Sequence, residues 1–217
     1  MHFRSRTPSR RDVIRAGAVG AAALLIGRTT SAQADDLPTP TPECHETEDN
    51  LLGPYWRRSA PVRSDLTERG MAGTRLRVTG QVLGLASAAC TPIPNALLDV
   101  WQADDRGRKP AVYSADGSWR LRGRLYTRAD GSYDLRTIIP GHYGDGNDTR
   151  PAHIHVRVSA PGHRRLTTQL YFAGDPYNDQ DPFIEKSLIM QLTDAPGGAS
   201  GSDDDKAARF DFVLRPA

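Results

Sequence analysis

From Thr74 onward apolar and polar residues take turns along the chain. In TRLRVTGQVL, Leu76, Val78 and Val82 fall on alternate positions, the period of a strand with one face buried and one wet. The stretch Ala96–Ala103, ALLDVWQA, is rich in strand formers and follows a Pro92-Ile93-Pro94-Asn95 turn. Two Asp-Gly pairs, Asp116-Gly117 and Asp130-Gly131, are strong short turn signals, and the second joins RGRLYTR to SYDLRTIIP. Further strands are expected at His153–Ala160, Arg165–Phe172, Leu188–Leu192 and Arg209–Leu214. DAPGGASGSDDDK, before the last of these, reads as loop by composition. Helical periodicity is nearly absent and no repeat is visible. Short strands at close spacing predict an all-β protein, a β-sandwich with long functional loops and little helix, over residues 74–217.

The first 73 residues follow other rules. SRRDV, with paired Arg10 and Arg11, precedes a weakly apolar run from Ala16 to Gly27, and Ala32-Gln33-Ala34 offers a small-x-small cleavage site. The run is too short and too rich in Gly and Ala to span a membrane. Residues 1–34 are therefore expected to be a signal peptide cleaved after Ala34, and SRRDV resembles the twin-arginine export signal. That route carries folded proteins and suits those that load a cofactor first. Residues 35–73, opening with the Pro/Thr-rich LPTPTPECHETEDN, read as an extended arm.

Composition narrows the partners. The chain has 217 residues and a formal charge of +2, with its 28 basic residues scattered rather than striped, so nucleic acid is not an expected partner. No apolar run after residue 35 is long enough to span a membrane. The two cysteines, Cys44 and Cys90, read as a disulfide in an exported protein.

The strand RPAHIHVRV, Arg150 to Val158, carries the candidate chemistry. Side chains at i and i+2 share a face, so His153, His155 and Arg157 point one way while Ile154, Val156 and Val158 point the other. Such a strand is either an ordinary one with a solvated polar face or half of a metal site, since two imidazoles on one face can converge on one cation. No glutamate follows at cupin spacing, and Glu185 is the only one downstream. His142 and His163 are the candidate third imidazoles of a zinc site. DPYNDQD looks calcium-like but lacks the glycine and terminal Glu of an EF-hand loop. Tyrosines remain in number: Tyr55, Tyr113, Tyr126, Tyr133, Tyr143, Tyr171 and Tyr177. A phenol is a poor ligand for most divalent ions, but a trivalent iron can displace its proton, and hard phenolate oxygen suits Fe(3+). Two tyrosines with two histidines make a coherent ferric site.

Five collinear blocks then resemble the intradiol ring-cleavage dioxygenases: LLGPYW, CTPIPNALLDVWQADDRGR, LRGRLYTRADGSYDLRTIIPGHY, RPAHIHVRVSAPGH and LTTQLYFAGDP, from about Leu51 to Asp181. The chain is similar to compact members without the long helical N-terminal domain. The resemblance implies a β-sandwich that uses Fe(3+) and O2 to cleave a small aromatic diol between its hydroxyls, giving a cis,cis-muconate-type product. It implies His153, His155, Tyr143 and Tyr113 as iron ligands, with Tyr126 and Tyr133 as fallbacks for Tyr113. Tyr143 would leave the metal and accept a substrate proton, Arg150 would stabilise negative charge on the ring, and Gln169 would stand near the reacting centre. Tyr55 and Trp56 are candidates to line the substrate pocket. Two departures stand out: the segment before Tyr113 is longer than the family's, and Gly144 replaces a familiar proline. The resemblance also allows a homo-oligomer. Three other functions stay open on the residues alone: a secreted ligand-binding module without catalysis, a His-based zinc hydrolase, and a structural or surface protein whose His-x-His is only a solvated face.

Overall fold

The computed structural model describes residues 44–86, 89–107, 118–144, 148–195 and 206–217. The expected signal peptide, Tyr113 and the Asp116-Gly117 turn lie outside them. Eleven strands follow in order: β1 Arg75–Ala86, β2 Ala89–Pro92, β3 Leu97–Gln102, β4 Arg122–Tyr126, β5 Ser132–Ile138, β6 His153–Ser159, β7 Leu166–Phe172, β8 Ile189–Met190, β9 Thr193–Asp194, β10 Lys206–Arg209 and β11 Phe212–Leu214. Two short 3-10 pieces lie wholly among the described residues, at Asn178–Gln180 and Lys186–Leu188. No described helix is long and apolar enough to cross a membrane.

The strands form two sheets. In the first, β1 is the common member. It pairs antiparallel with β2 and β5 and parallel with β10 and β11. The second sheet runs β4-β3-β6-β7-β8, with β6 hydrogen-bonded on both sides. Leu76, Val78, Val82 and Leu135 of the first sheet belong to one buried cluster with Leu98, Val100, Ile154, Val156, Val158 and Leu170 of the second. Burying each such side chain stabilises the fold by roughly 1.5–3 kcal/mol, so the period-two positions decide the architecture: an all-β sandwich, as the alternation predicts.

Three expectations shift in detail. The Asp130-Gly131 turn joins β4 to β5, which belong to different sheets, so it is a crossover rather than a paired hairpin. The last expected strand is two strands, β10 and β11, broken at Phe210 and Asp211. There Asp211 Oδ1 accepts the Gln81 N–H at 2.8 Å, and the Phe210 carbonyl would sit 1.7 Å from any Cβ on Gly80. β10 begins at Lys206, the residue on which the expected loop ends. β2 has no alternation to announce it, being mostly exposed, and exists by pairing with β1.

Residues 47–66 carry little regular structure; Leu51 and Gly53 of this segment lie against Gln169 and His155 of the second sheet, while its ends bond to β11 and β5 of the first. The Asn50 N–H donates to the Thr167 carbonyl at 2.7 Å, the Arg63 N–H donates to the Arg124 carbonyl while the Arg124 N–H donates to the Pro61 carbonyl, and Thr47 pairs with Val213. Cys44 and Cys90 are bonded, their Cα atoms 5.5 Å apart, which ties the start of this segment to β2.

Candidate metal centre

β6 is buried on both faces. His153 is 2% exposed and His155 is fully buried, while Ile154, Val156 and Val158 enter the core. The alternative of a solvated polar face fails because the 47–66 segment lies over it. Cross-strand neighbours extend the site: Arg122, Trp101, His155 and Gln169 form one row across β4, β3, β6 and β7, and Tyr171 stands opposite His153.

The two imidazole rings lie with centroids 4.9 Å apart at 75°. His153 Nδ1 is 2.7 Å from the Pro151 carbonyl, a group that only accepts, so Nδ1 carries the proton and Nε2 keeps its lone pair. Nε2 of His153 and both ring nitrogens of His155 are buried without a hydrogen-bond partner. Burial first, then the Arg150 cation, pushes His153 down to about 4 against the opposing Pro151 carbonyl. Burial first, then His153 and Arg150, holds His155 well below the usual imidazole range, with the Leu51 backbone opposing. Both rings are therefore neutral at pH 7, the state in which imidazole binds a cation. Trp101 stacks on His155 at 4.9 Å and 7°. On the other side Gly53 leaves just enough room: a Cβ there would lie 3.0 Å from His155 Cε1 and 3.5 Å from Nε2.

Tyr143 reaches the pair from the loop after β5. An isolated bridge pairs it with Arg150, whose N–H donates to the Tyr143 carbonyl at 2.8 Å, and its ring centroid is 5.3 Å from that of His153. This loop is pinned to the one after β3. Gly141 N–H donates to the Asp104 carbonyl at 2.8 Å, and Gly107 passes so close to the His142 carbonyl that a Cβ would lie 1.5 Å from it. Neither fallback tyrosine reaches the histidines: Tyr126 is 50% exposed, and the Tyr133 hydroxyl donates to the Phe210 carbonyl at 2.7 Å in the first sheet.

The other expected residues can be placed as well. Arg150 is held by Asp181 and Tyr171, and Gln169, fully buried, donates from Nε2 to the Leu51 carbonyl at 2.8 Å. Tyr55 and Trp56 pack on Trp101 and Ala103, one side chain removed from His155. Trp56 Nε1 donates to Asp99 at 3.0 Å, and the Arg157 guanidinium lies 4.6 Å from its ring. His142 is committed to Asp175, with Nε2 2.8 Å from a carboxylate that also accepts the Ala152 N–H. His163 lies against Gly84 of β1. Among the described residues no group of three or more His, Cys, Asp and Glu gathers, so a third histidine or carboxylate for zinc is not assembled there. Gly53, Trp101, Tyr171 and Asp181 are the neighbours that sequence reasoning missed. All four lay in stretches already singled out: Gly53 in LLGPYW, Trp101 in ALLDVWQA, Tyr171 in LTTQLYF and Asp181 in DPYNDQD.

Two neutral imidazoles with open Nε2 atoms, beside a tyrosine, fit a hard trivalent iron better than a thiolate-seeking ion. Residues 51–216 match a family model described as Dioxygenase. A chlorocatechol 1,2-dioxygenase of Rhodococcus opacus is 35% identical over 172 residues, which cover 67% of this chain and 65% of the relative. A protocatechuate 3,4-dioxygenase beta chain of Burkholderia cepacia is 37% identical, covering 71% of this chain and 72% of its own. The solved dioxygenase domain of a dioxygenase carbohydrate-binding protein fusion from Streptomyces sp. SirexAA-E superposes with a TM-score of 0.67 at 39% identity, covering 80% of this chain and 100% of that one. The chain spans a little under two thirds of the chlorocatechol relative's length and 53% of a catechol 1,2-dioxygenase from Acinetobacter lwoffii.

Proposed function

Since the chain belongs to the intradiol ring-cleavage dioxygenase family, we propose that it binds ferric iron and inserts both atoms of O2 into a catechol-type diol, opening the ring between the hydroxyls to a cis,cis-muconate-type product. The observation that carries this reading is the pair of buried, unpartnered Nε2 atoms on His153 and His155 with Tyr143 beside them. His153, His155 and Tyr143 would hold the iron, with Tyr113 as the fourth ligand. When bound, the ion supplies Lewis acidity that favours the doubly deprotonated diol and draws electron density from its ring.

The protein's own groups do the rest. The Tyr143 phenolate accepts a proton from one diol hydroxyl, a transfer within general acid–base reach of a group held beside the site. Arg150 lends positive charge where negative charge develops on the ring, and it costs no reorganisation because Asp181 and Tyr171 already hold it. The 47–66 segment keeps water from the histidine face, which strengthens these electrostatic terms.

Phenolate bound to ferric iron absorbs visible light, so the iron-replete protein is expected to be coloured, and a colourless one would sink the reading. Turnover of a panel of catechol, protocatechuate and hydroxyquinol under O2, with products identified, separates intradiol cleavage from binding without chemistry. Tyr143→Phe is expected to change the visible band, and an unchanged band would reassign the ligand. Export by the twin-arginine route belongs to the same reading, because it delivers a folded, metal-loaded protein to a compartment where the Cys44–Cys90 bond persists. An exported protein whose N-terminus is Asp35 is the expected result of N-terminal sequencing.

A further inference from the structure

Asp181 lies in the segment between β7 and β8, in the stretch that looks calcium-like, and its hold on Arg150 is one end of a longer chain of hydrogen bonds. Its side chain is 1% exposed, and both its oxygens are committed. Oδ2 accepts from Nε and Nη2 of Arg150 at 2.9 and 2.7 Å, and Oδ1 accepts the Phe183 N–H at 2.9 Å. Beyond Arg150 the bonds continue. Nη2 also donates to the Tyr171 hydroxyl at 3.1 Å, that hydroxyl donates to Gln169 Oε1 at 3.0 Å, and Gln169 Nε2 donates to the Leu51 carbonyl at 2.8 Å.

The direction of this chain follows from the groups themselves. A guanidinium only donates, so the Tyr171 oxygen must accept from Arg150 and has one proton left to give. A carbonyl only accepts, so the amide nitrogen of Gln169 must face Leu51 and its oxygen must face Tyr171. Which way a glutamine amide points is ordinarily open; here it is determined from both ends. Tyr171 and Gln169 are the cross-strand partners of His153 and His155, so the chain runs along the whole histidine pair.

We propose that Asp181 is a positioning residue: it anchors Arg150 and, through Tyr171, fixes the orientation of the Gln169 amide, so that both polar groups beside the histidines act as one unit. The inference rests on the reading of Arg150 and Gln169 as groups that meet the reacting ring. The hydrogen bonds of the Asp181 carboxylate go to Arg150 and the Phe183 N–H. Its carboxylate also balances the Arg150 charge, so the arginine is held for the reaction rather than spent on attracting an anionic substrate.

Asp181→Asn keeps the shape and removes the charge, and Tyr171→Phe cuts the link to Gln169. In the iron-replete full chain, each single variant is expected to bind catechol without oxygen within about threefold of the unaltered protein, while kcat under O2 falls about ten- to a hundredfold. The double variant is expected to be no slower than the slower single one, because both break the same chain. Multiplying effects would overturn the coupling, and weakened anaerobic binding with unchanged kcat would overturn the positioning role. The anchoring has a readout that needs no metal: in the metal-free protein, phenylglyoxal labelling of Arg150, mapped by mass spectrometry, is expected to be about tenfold faster in Asp181→Asn. Equal labelling rates would overturn the proposal even in a fully active enzyme. Faster labelling in a protein whose unaltered form cleaves no catechol would sink the dioxygenase reading and leave the anchor standing.

Discussion

A strand that alternates histidine with isoleucine and valine has a face for each set, and in a two-sheet protein the aliphatic set takes the core. The histidine face of β6 could then have met water, and the alternation alone does not tell which. The 47–66 segment decides it, and burial leaves both rings neutral with open Nε2 atoms. A pH dependence follows for the metal-free protein. An unfolded histidine has a pKa near 6.5, whereas His153 in the fold is held down to about 4. As pH falls below about 6.5 the unfolded chain takes up a proton that the folded one refuses, so stability present above that pH is lost down to about 4, on the order of 3 kcal/mol for this residue. His155 acts in the same direction. Urea unfolding of the metal-free protein from pH 7 to pH 4 is expected to show that loss, and a His153→Gln variant a smaller one. Gly53 offers a second test, since its φ of +69° and its closeness to His155 both disfavour a side chain. Gly53→Ala is expected to cost about 1–3 kcal/mol of stability and to lower iron content, as measured by elemental analysis.

At the level of elements, what the chain announces depends on whether burial or pairing makes the strand. β1, with a buried residue at nearly every second position, is plain in the sequence, and so are β3, β6 and β7. β2 is not, because it exists through its bonds to β1, and the division of β10 from β11 depends on Gly80 and Asp211 meeting across the sheet. The site divides the same way. His153, His155 and Arg150 share one short legible stretch, whereas Tyr171 joins them by strand pairing opposite His153 and Asp181 by side-chain bonds to Arg150, neither of which spacing reveals. The segment over the histidines depends on the Cys44–Cys90 bond, which closes a loop of 46 residues. In the chain-entropy model that bond contributes about 4 kcal/mol. Cys90→Ser is expected to lower the urea midpoint accordingly and to speed hydrogen exchange at residues 47–56 before the strands of the second sheet.

For the whole molecule, the proposed metal ties β6 to the loop after β5, whose Tyr143 ring already lies 5.3 Å from that of His153. A ligand that binds only the folded state stabilises it by mass action, about 2.7 kcal/mol at a free concentration a hundred times its Kd. Stripping the iron is expected to lower Tm by several degrees, and reloading with ferric ion to restore it. Identical melting curves before and after chelation would count against iron bound at these side chains.

β1 is the earliest strand, yet one of its two flanks is taken by β10 and β11, parallel to it and more than a hundred positions later in the chain. A parallel partner so distant cannot be reached by a local turn, and such pairings slow folding. During synthesis the first sheet therefore waits with one side open until Leu214 has left the ribosome. Completion of the first sheet is a late event, and a nascent chain stalled before β10 carries an unpaired strand edge for chaperones to guard.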